Sequence, residues 1–191
     1  MEVVKMTNIK GIGASSGIAL AKAYKLEMPD LTVTRDTIEN PDETIASYNE
    51  HVAAVKIEIQ KIKEAAIKNL SEEEAAVFDA HMQILEDPEL ASQVEAKIRD
   101  EKLNAAAALE DVASTFIAIF SSMDDEYFKE RAADVKDVST RLKAHILGKS
   151  LPNPALINEE VVIIANDLTP SDTAQLNKNL VRGFITNIGG R

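Results

Sequence analysis

The C-terminal end of the chain carries the pattern most typical of a reactive site. Asp167-Leu168-Thr169-Pro170-Ser171 precedes the apolar segment Gly183-Phe184-Ile185-Thr186, and Gly189-Gly190-Arg191 follows that segment. A buried strand followed by a Gly-Gly turn lets the backbone approach a phosphate closely and places a reactive side chain just after the turn. The printed chain ends at Arg191. We therefore interpret it as either a complete binding protein or an enzyme fragment cut just before its nucleophile, and we favour the fragment.

A second glycine-rich segment, Gly13-Ala14-Ser15-Ser16-Gly17-Ile18, is similar to the dinucleotide-binding turn of short-chain dehydrogenases. Such a turn works when it follows a strong strand and opens a helix. Here no strong strand precedes it, and Ala19 stands where the next glycine is needed. The catalytic Tyr-x-x-x-Lys pair of those enzymes is also missing, because neither Tyr48 nor Tyr127 is followed by a lysine four residues later. A nucleotide-dependent oxidoreductase is therefore the last of our three alternatives.

The histidines and the absence of cysteine limit the remaining chemistry. None of His51, His81 and His145 is spaced with another histidine or a carboxylate as a zinc-binding helix requires. We expect His51 and His145 to be solvated helix residues and His81 to be a partly buried packing residue. Because the chain has no cysteine, disulfides, zinc thiolates and thiol nucleophiles are excluded within it.

The composition indicates an acidic protein with an aliphatic core. The formal net charge is −11 and the sequence pI is about 4.8. This charge argues against nucleic-acid binding, which needs basic patches, and permits a basic protein partner. The apolar runs look too short to span a membrane, and the first residues lack the apolar core of a signal peptide. We expect a cytoplasmic protein.

The two ends of the chain carry the strand signals. Val161–Ala165 and Gly183–Thr186 flank a helix start at Leu168-Thr169-Pro170-Ser171, which predicts a parallel pair of strands. Weaker extended segments are predicted near the N-terminus, around Ile9–Gly13, Ile18–Leu26 and Thr32–Thr34.

The middle of the chain predicts helices. Asn40-Pro41 followed by Glu43 is a strong helix start. The helix that follows carries apolar residues at alternating spacings of three and four: Ile45, Tyr48, Val52, Val55, Ile59, Ile62 and Ala66. This stripe suits a coiled coil or a bundle, and we favour a bundle because more helices follow at once.

The later helices are marked by caps and breaks. Ser71–Glu74 is a capping box, Asp87-Pro88 predicts a bend in the second helix, and Asn104 opens the third. Ser122–Asp125 opens the fourth, which Gly148 ends. The predicted fold is α+β and predominantly helical, with a helical bundle, residues 36–147, inserted into a partial α/β unit made of 1–35 and 148–191.

Acidic and apolar side chains collect around the second, third and fourth helices. The acidic clusters Glu72–Glu74, Glu86–Glu89 and Asp124–Glu126 lie near helix N-termini, where carboxylates stabilise the helix dipole. The apolar run at the junction of the third and fourth helices cannot face one core throughout: Phe116, Phe120, Met123 and Phe128. An apolar patch with acidic edges indicates a docking surface for a basic partner.

Four segments, in order along nearly the whole chain, match a known family. They are Gly11–Ala19, Phe78–Leu90, Asp124–Val135, and Asp167–Leu176 with Gly183–Thr186 and Gly189–Arg191. On these segments the chain resembles enzyme I of the bacterial phosphoenolpyruvate:sugar phosphotransferase system, which functions in sugar transport.

The resemblance implies a phosphotransferase in which a histidine takes a phosphoryl group from phosphoenolpyruvate and passes it to the small carrier HPr. That histidine is expected three residues beyond Arg191, so this chain should contain no catalytic residue and should be inactive alone. Phosphoenolpyruvate and Mg²⁺ would bind a C-terminal barrel domain that this chain lacks. The resemblance also implies a homodimeric full-length enzyme, a monomeric fragment and a partial swivelling phosphohistidine domain.

The resemblance maps HPr binding onto the helical bundle. The implied contact residues are Glu72, Glu73, Ala76, His81, Gln83, Ile84, Asp87, Glu89, Phe116, Ile119, Phe120, Met123 and Arg131. The alternative function is a stand-alone helical adaptor without catalysis.

Overall fold

A computed structural model describes residues 10–69 and 72–188. Its elements are, in chain order, β1 (Lys22–Leu26), α1 (Pro41–Asn69), α2 (Glu72–Ala75), α3 (Val77–Leu85), α4 (Pro88–Asp100), α5 (Ala105–Ser122), α6 (Glu126–Ile146), a short 3₁₀ turn (Pro154–Leu156), β2 (Val161–Ala165), α7 (Pro170–Ala174) and β3 (Val181–Thr186). The predicted α+β class, predominantly helical, is confirmed.

Helix α1 is the central element of the bundle. The Asn40 side chain caps it by accepting a hydrogen bond from the Glu43 backbone N–H at 3.3 Å. The predicted apolar stripe faces the core, where Tyr48, Val55 and Ile59 are almost fully buried. Burial, with a smaller contribution from the nearby Glu95, raises the pKa of Tyr48 to about 12. One core cluster joins α1 to residues of α3, α4, α5 and α6, so the stripe serves a bundle, as predicted.

The predicted bend at Asp87-Pro88 is confirmed. The Asp87 carboxylate accepts hydrogen bonds from the backbone N–H groups of Glu89 at 2.8 Å and Leu90 at 3.2 Å, and Pro88 occupies the first helical position. The helix expected to begin at the capping box differs from the prediction, because a turn at Ala76 separates α2 from α3. Ser71 of that box lies outside the described residues.

Helices α5 and α6 begin and end where the sequence predicts. Asn104 and Asp125 cap them, accepting from the N–H groups of Ala107 and Tyr127, each at 2.9 Å. Gly148 ends α6 with a φ of +63°, a left-handed conformation that glycine adopts without steric cost. The expectation that every apolar run is too short to span a membrane is wrong for α5, which meets the length and composition test. Its first half, however, packs in the bundle core.

Three parallel strands form a small sheet in the order β1-β2-β3. The strands β1 and β2 are therefore neighbours in the sheet, although helices α1 to α6 separate them in the sequence. The predicted parallel pair, β2 and β3, is confirmed. Near the N-terminus, β1 confirms the second half of the extended segment predicted at Ile18–Leu26. The segments predicted at Ile9–Gly13 and Thr32–Thr34 form no strand among the described residues, and Ile9 lies outside those residues. The apolar side chains of residues 10–20 find no partner strand and stay exposed.

The expectation that His51 and His145 are solvated helix residues is wrong, because both are half-buried. Their Nδ1 atoms lie 2.7 Å apart across α1 and α6, with the rings packed edge to face. One Nδ1–H must donate to the lone pair of the other ring, so two protonated rings cannot keep this contact. Burial, and then the charge of His145, lowers the pKa of His51 below its ordinary value of 6.5, while Glu50 opposes the shift.

This histidine pair predicts that the fold loses stability as the pH falls below about 6.5. The unfolded chain protonates His51 first, because the folded pKa is the lower one, so the stabilisation is complete above that pH and is lost below it. Replacing His51 by glutamine should flatten this loss, and His145→Gln should do the same. Urea unfolding midpoints at pH 7.5 and 5.5 measure the difference. Equal losses in all three proteins would contradict the prediction.

Candidate docking groove between helices α3 and α6

An apolar groove of about 220 Å³ lies where the α3–α4 bend meets the end of α5 and the start of α6. We call it the docking groove. Its walls are Gln83, Ile84, Asp87, Leu90, Phe116, Phe120, Tyr127, Phe128, Arg131 and Val135.

Aromatic rings form the floor of the docking groove. Phe120 stacks on Phe128 with ring centroids 6.0 Å apart, and Phe116 meets Phe120 edge-on at 6.1 Å. The three phenylalanines are only half buried. The fully buried residues of α5 end at Ala113, and beyond that point Phe116 packs only partly against the core cluster. The prediction that this apolar run cannot all face one core is confirmed.

Arg131 is held at one wall of the groove. Its guanidinium lies over the Tyr127 ring, 5.2 Å from the centroid, and its Nε donates to the Tyr127 hydroxyl at 3.2 Å. A guanidinium nitrogen also lies 3.7 Å from the Asp134 carboxylate. These contacts orient a cation at the edge of an otherwise acidic surface.

The segment from α2 to α4 carries several acidic side chains, of which Asp87 lines the groove. Glu72 and Glu89 are exposed, and Glu86 lies 2.6 Å from Lys56. Asp87, in contrast, is committed to capping α4. Glu73 belongs to the same short helix as Glu72, but its side chain lies outside the described part of the structure.

The structure brings together much, though not all, of the site implied by the sequence. Six of the implied residues line the docking groove: Gln83, Ile84, Asp87, Phe116, Phe120 and Arg131. Ile119 (48% exposed) and Met123 lie beside it at the end of α5. The exposed side chains of Glu72 and Ala76 belong to α2 and the turn after it, and that of Glu89 belongs to the first turn of α4.

Four wall residues were missing from the implied site: Leu90, Tyr127, Phe128 and Val135. Tyr127, Arg131 and Val135 recur every fourth residue on α6, so they share one face of that helix. Given Arg131, helical periodicity alone could therefore have predicted Tyr127 and Val135 as further residues of the site.

His81 lies beneath the surface, so its implied role as a direct contact does not fit its position. It is only 2% exposed, and Phe78 packs edge-on against its ring. Its Nε2 lies 3.6 Å from an Asp134 oxygen and 3.9 Å from an Asp137 oxygen. His81 is therefore a buried packing residue between two carboxylates, on the same helix as the wall residues Gln83 and Ile84.

The same buried polar cluster continues to the first turn of α7. The Ser171 hydroxyl, fully buried, donates to the Asp137 carboxylate and lies 3.1 Å from the Thr169 hydroxyl. Thr169 caps α7 in a reciprocal capping box with Asp172. Burial raises the pKa of Asp172, against the hydrogen bonds from Thr169. Polar contacts therefore join the wall of the docking groove to the edge of the sheet.

A larger cavity, about 880 Å³, opens at the carboxyl ends of the strands. Leu26, Ala165, Asn166, Thr169 and Asn187 contribute to its walls. Ligands of parallel α/β sheets bind at this end of the strands. The Gly189-Gly190-Arg191 segment that suggested a reactive site lies outside the described residues. Within residues 10–69 and 72–188, no three histidine, aspartate or glutamate side chains converge as a metal site requires.

Comparisons with known proteins match both parts of the chain. Residues 10–131 match the family model "PEP-utilising enzyme, N-terminal", and residues 157–191 match "PEP-utilising enzyme, mobile domain". The chain is 56% identical over 183 residues to the phosphoenolpyruvate-protein phosphotransferase of Staphylococcus carnosus and 52% identical over 186 residues to that of Bacillus subtilis. The matches cover 96% and 97% of this chain but 32% and 33% of those proteins, so the chain spans about a third of their length.

Solved structures agree with these matches. A solution NMR structure of Enzyme I (nEIt) superposes with a TM-score of 0.83 at 41% identity, covering 93% of this chain and 73% of that one. The N-terminal domain of the nitrogen Enzyme 1 superposes with a TM-score of 0.65 at 22% identity, covering 89% and 70%. The second likeness concerns the fold alone.

Proposed function

The chain belongs to the Enzyme I family of PEP-utilising enzymes, as its N-terminal part, and on that premise we propose that it binds the phosphocarrier HPr through the docking groove. In the whole protein, this binding would let a phosphoryl group pass from phosphoenolpyruvate through a histidine to HPr during sugar uptake. The observation that carries the proposal is the aromatic floor, Phe116, Phe120 and Phe128, left half-exposed in a groove that the charged side chains of Asp87 and Arg131 also line. An apolar centre with a charged edge is the common anatomy of a protein interface.

The edge of the sheet is the place where phosphoryl transfer would meet the docking groove. The phosphorylated histidine would follow Arg191 by three residues, after the strand β3 and the glycine pair. Thr169 and the N-terminus of α7 lie at the carboxyl ends of the strands, near which that histidine would lie. Asp137 and Ser171 would keep α6 and α7 together while the groove is occupied.

Phosphoenolpyruvate and Mg²⁺ would bind elsewhere in the whole protein. The described carboxylates do not converge on a common point, whereas Mg²⁺ takes carboxylate and phosphate oxygens around a single centre. Among the described residues there is therefore no cluster of three carboxylates for Mg²⁺, and we expect the chain alone not to take phosphate from phosphoenolpyruvate. We also propose a cytoplasmic location, a monomeric state for this portion and a homodimer for the whole enzyme.

Titration of ¹⁵N-labelled chain with HPr tests the docking proposal. Backbone amides around the docking groove, at Gln83, Asp87, Phe120 and Arg131, should shift saturably. Amides of α1 at the opposite end of the bundle, near Glu39 and Asp42, should not shift. A spectrum unchanged by excess HPr, or shifts centred on the sheet alone, would contradict the docking proposal.

Charge reversal at Glu72 should slow association with HPr more than it speeds dissociation. The side chain is exposed, so it acts through long-range attraction rather than through a buried contact. We expect Glu72→Lys to lower the association rate about threefold at low salt and to flatten its salt dependence. Stopped-flow measurements at two ionic strengths give both quantities.

Glu39→Lys is the matched control for this charge reversal. Glu39 precedes α1 at the end of the bundle where Arg99, in the last turn of α4, pairs with Asp42. The docking groove lies at the other end of α4. If both substitutions change the association rate equally, net charge rather than a local acidic edge governs the encounter.

A further inference from the structure

A second lined cavity, separate from the docking groove, lies where α1 passes the end of α6. Its volume is about 490 Å³, within the range of small-molecule sites. Three cationic side chains line it, Arg141, Lys61 and Lys149, with Glu58 as the lone carboxylate among its described walls. None of its wall residues belongs to the docking groove.

Arg141 is the best-fixed group of this cavity. It is only 8% exposed. One of its guanidinium nitrogens donates a hydrogen bond to a Glu58 carboxylate oxygen at 2.6 Å. A guanidinium carries further N–H donors, in a planar fork that suits phosphate and carboxylate oxygens. Glu58 is about half exposed and cannot engage all of them. The buried guanidinium therefore presents donors to the space that it lines.

The charge of the cavity is opposite to that of the protein. The chain carries a net charge of −11, whereas this site holds three cations against one carboxylate. Basic residues often collect at a helix C-terminus to offset its dipole. At the end of α6, however, the carbonyl groups of Lys143, Ala144 and His145 already accept backbone N–H groups from residues 147–149. Asp30 interacts electrostatically with Lys149, and Asp172 with Arg141, but neither carboxylate lines the cavity, so the cations outnumber the carboxylates on its wall.

We propose that this cavity binds a small organic phosphate, with its dianionic head against Arg141, Lys61 and Lys149. Three cations against one carboxylate among the lining residues suit the dianionic head of a phosphate monoester. Ile62, Leu151 and Pro152 supply apolar wall for the organic part. Arg141, Leu151 and Pro152 also line the large cavity at the sheet edge, so an occupant would touch residues shared by both. The inference does not depend on the docking proposal, since it uses different residues.

Phenyl phosphate, inorganic phosphate and phenol are the probes for an NMR titration of the ¹⁵N-labelled chain at constant ionic strength. We expect saturable shifts of the amides of residues 149–152 and of Gln175 with phenyl phosphate. Inorganic phosphate should shift the same amides with weaker affinity, and phenol should leave them unchanged. The Lys61→Gln, Lys149→Gln double variant should weaken phenyl phosphate binding at least about fivefold. Both lysines are exposed, so the variant should fold normally.

A second double variant, Lys22→Gln with Lys129→Gln, removes the same charge far from the cavity and should bind phenyl phosphate normally. Equal weakening in the two double variants would overturn the proposal, because net charge alone would then explain binding. Linear, unsaturable shifts, or shifts spread over the whole surface, would also overturn it. Unchanged HPr binding in the variant with Lys61→Gln and Lys149→Gln would show that this cavity and the docking groove are independent binding sites.

Discussion

Replacement of Phe120 by alanine should weaken HPr binding by about 2 kcal/mol or more, which is about thirtyfold in affinity. Phe120 is the ring that joins the other two on the groove floor, since it contacts both Phe116 and Phe128. Aromatic anchors at the centre of an interface carry most of its binding energy, because water is fully excluded from around them in the complex. The loss should appear chiefly as faster dissociation.

Isothermal titration calorimetry of HPr into the variant measures this loss. Phe184→Ala is the matched control, because it removes the same side chain from an exposed position on β3, 52% exposed and away from the groove. Ile119→Ala, at the groove edge, should give a smaller loss without disturbing the stacked rings. If Phe120→Ala binds HPr as tightly as Phe184→Ala does, the groove is not the docking site.

Replacement of Phe78 by alanine should lower the free energy of unfolding by about 3–5 kcal/mol, the largest stability effect that we predict. Phe78 is 1% exposed and belongs to the core cluster, while its ring also packs edge-on against His81. Truncation removes buried apolar surface and leaves a cavity that surrounding helices cannot fully close. The truncation would also remove the ring that packs against His81, so the wall of the docking groove should become less well ordered.

Urea unfolding followed by the helical circular dichroism signal measures this cost. Phe78→Leu retains most of the volume and should lose less than half as much stability, whereas Phe184→Ala should lose little because its ring is already exposed. Comparable losses for Phe78→Ala and Phe184→Ala would show that the assigned core is wrong.

The parts of the fold that depend on local chemistry could be predicted from the sequence. The caps at Asn40, Asp87, Asn104 and Asp125 are short-range hydrogen bonds between residues two or three apart, so the residue types alone indicate them. The stripe on α1 likewise needs only helical periodicity. The half-exposed rings of the groove followed from the same reasoning, because too many apolar residues lay on one stretch to share one core.

The contacts between distant segments could not be predicted. His51 meets His145 across 94 positions of sequence, and Glu58 meets Arg141 across 83. Both pairings depend on which faces of α1 and α6 oppose each other, which no local pattern states. The burial of His81 has the same cause, since Asp134 and Asp137 come from another helix. Of the N-terminal extended segments, Lys22–Leu26 forms β1 because β2 is available to pair with it. Residues 10–20 and Thr32–Thr34 form no strand, because apolar content indicates a strand only where a partner strand is available.

The insertion of six helices between two adjacent strands has a consequence for how the chain acquires its structure. Lys22 of β1 pairs with Val161 of β2. During synthesis β1 therefore cannot pair with β2 until the whole of α1 to α6 has been made. Closing so long a loop is entropically costly unless intervening helices have already drawn its ends together. We therefore expect the helices to become protected from hydrogen exchange early in refolding and β1 late. A nascent chain should hold Lys22–Leu26 unpaired, as an exposed edge, until the ribosome has released β2.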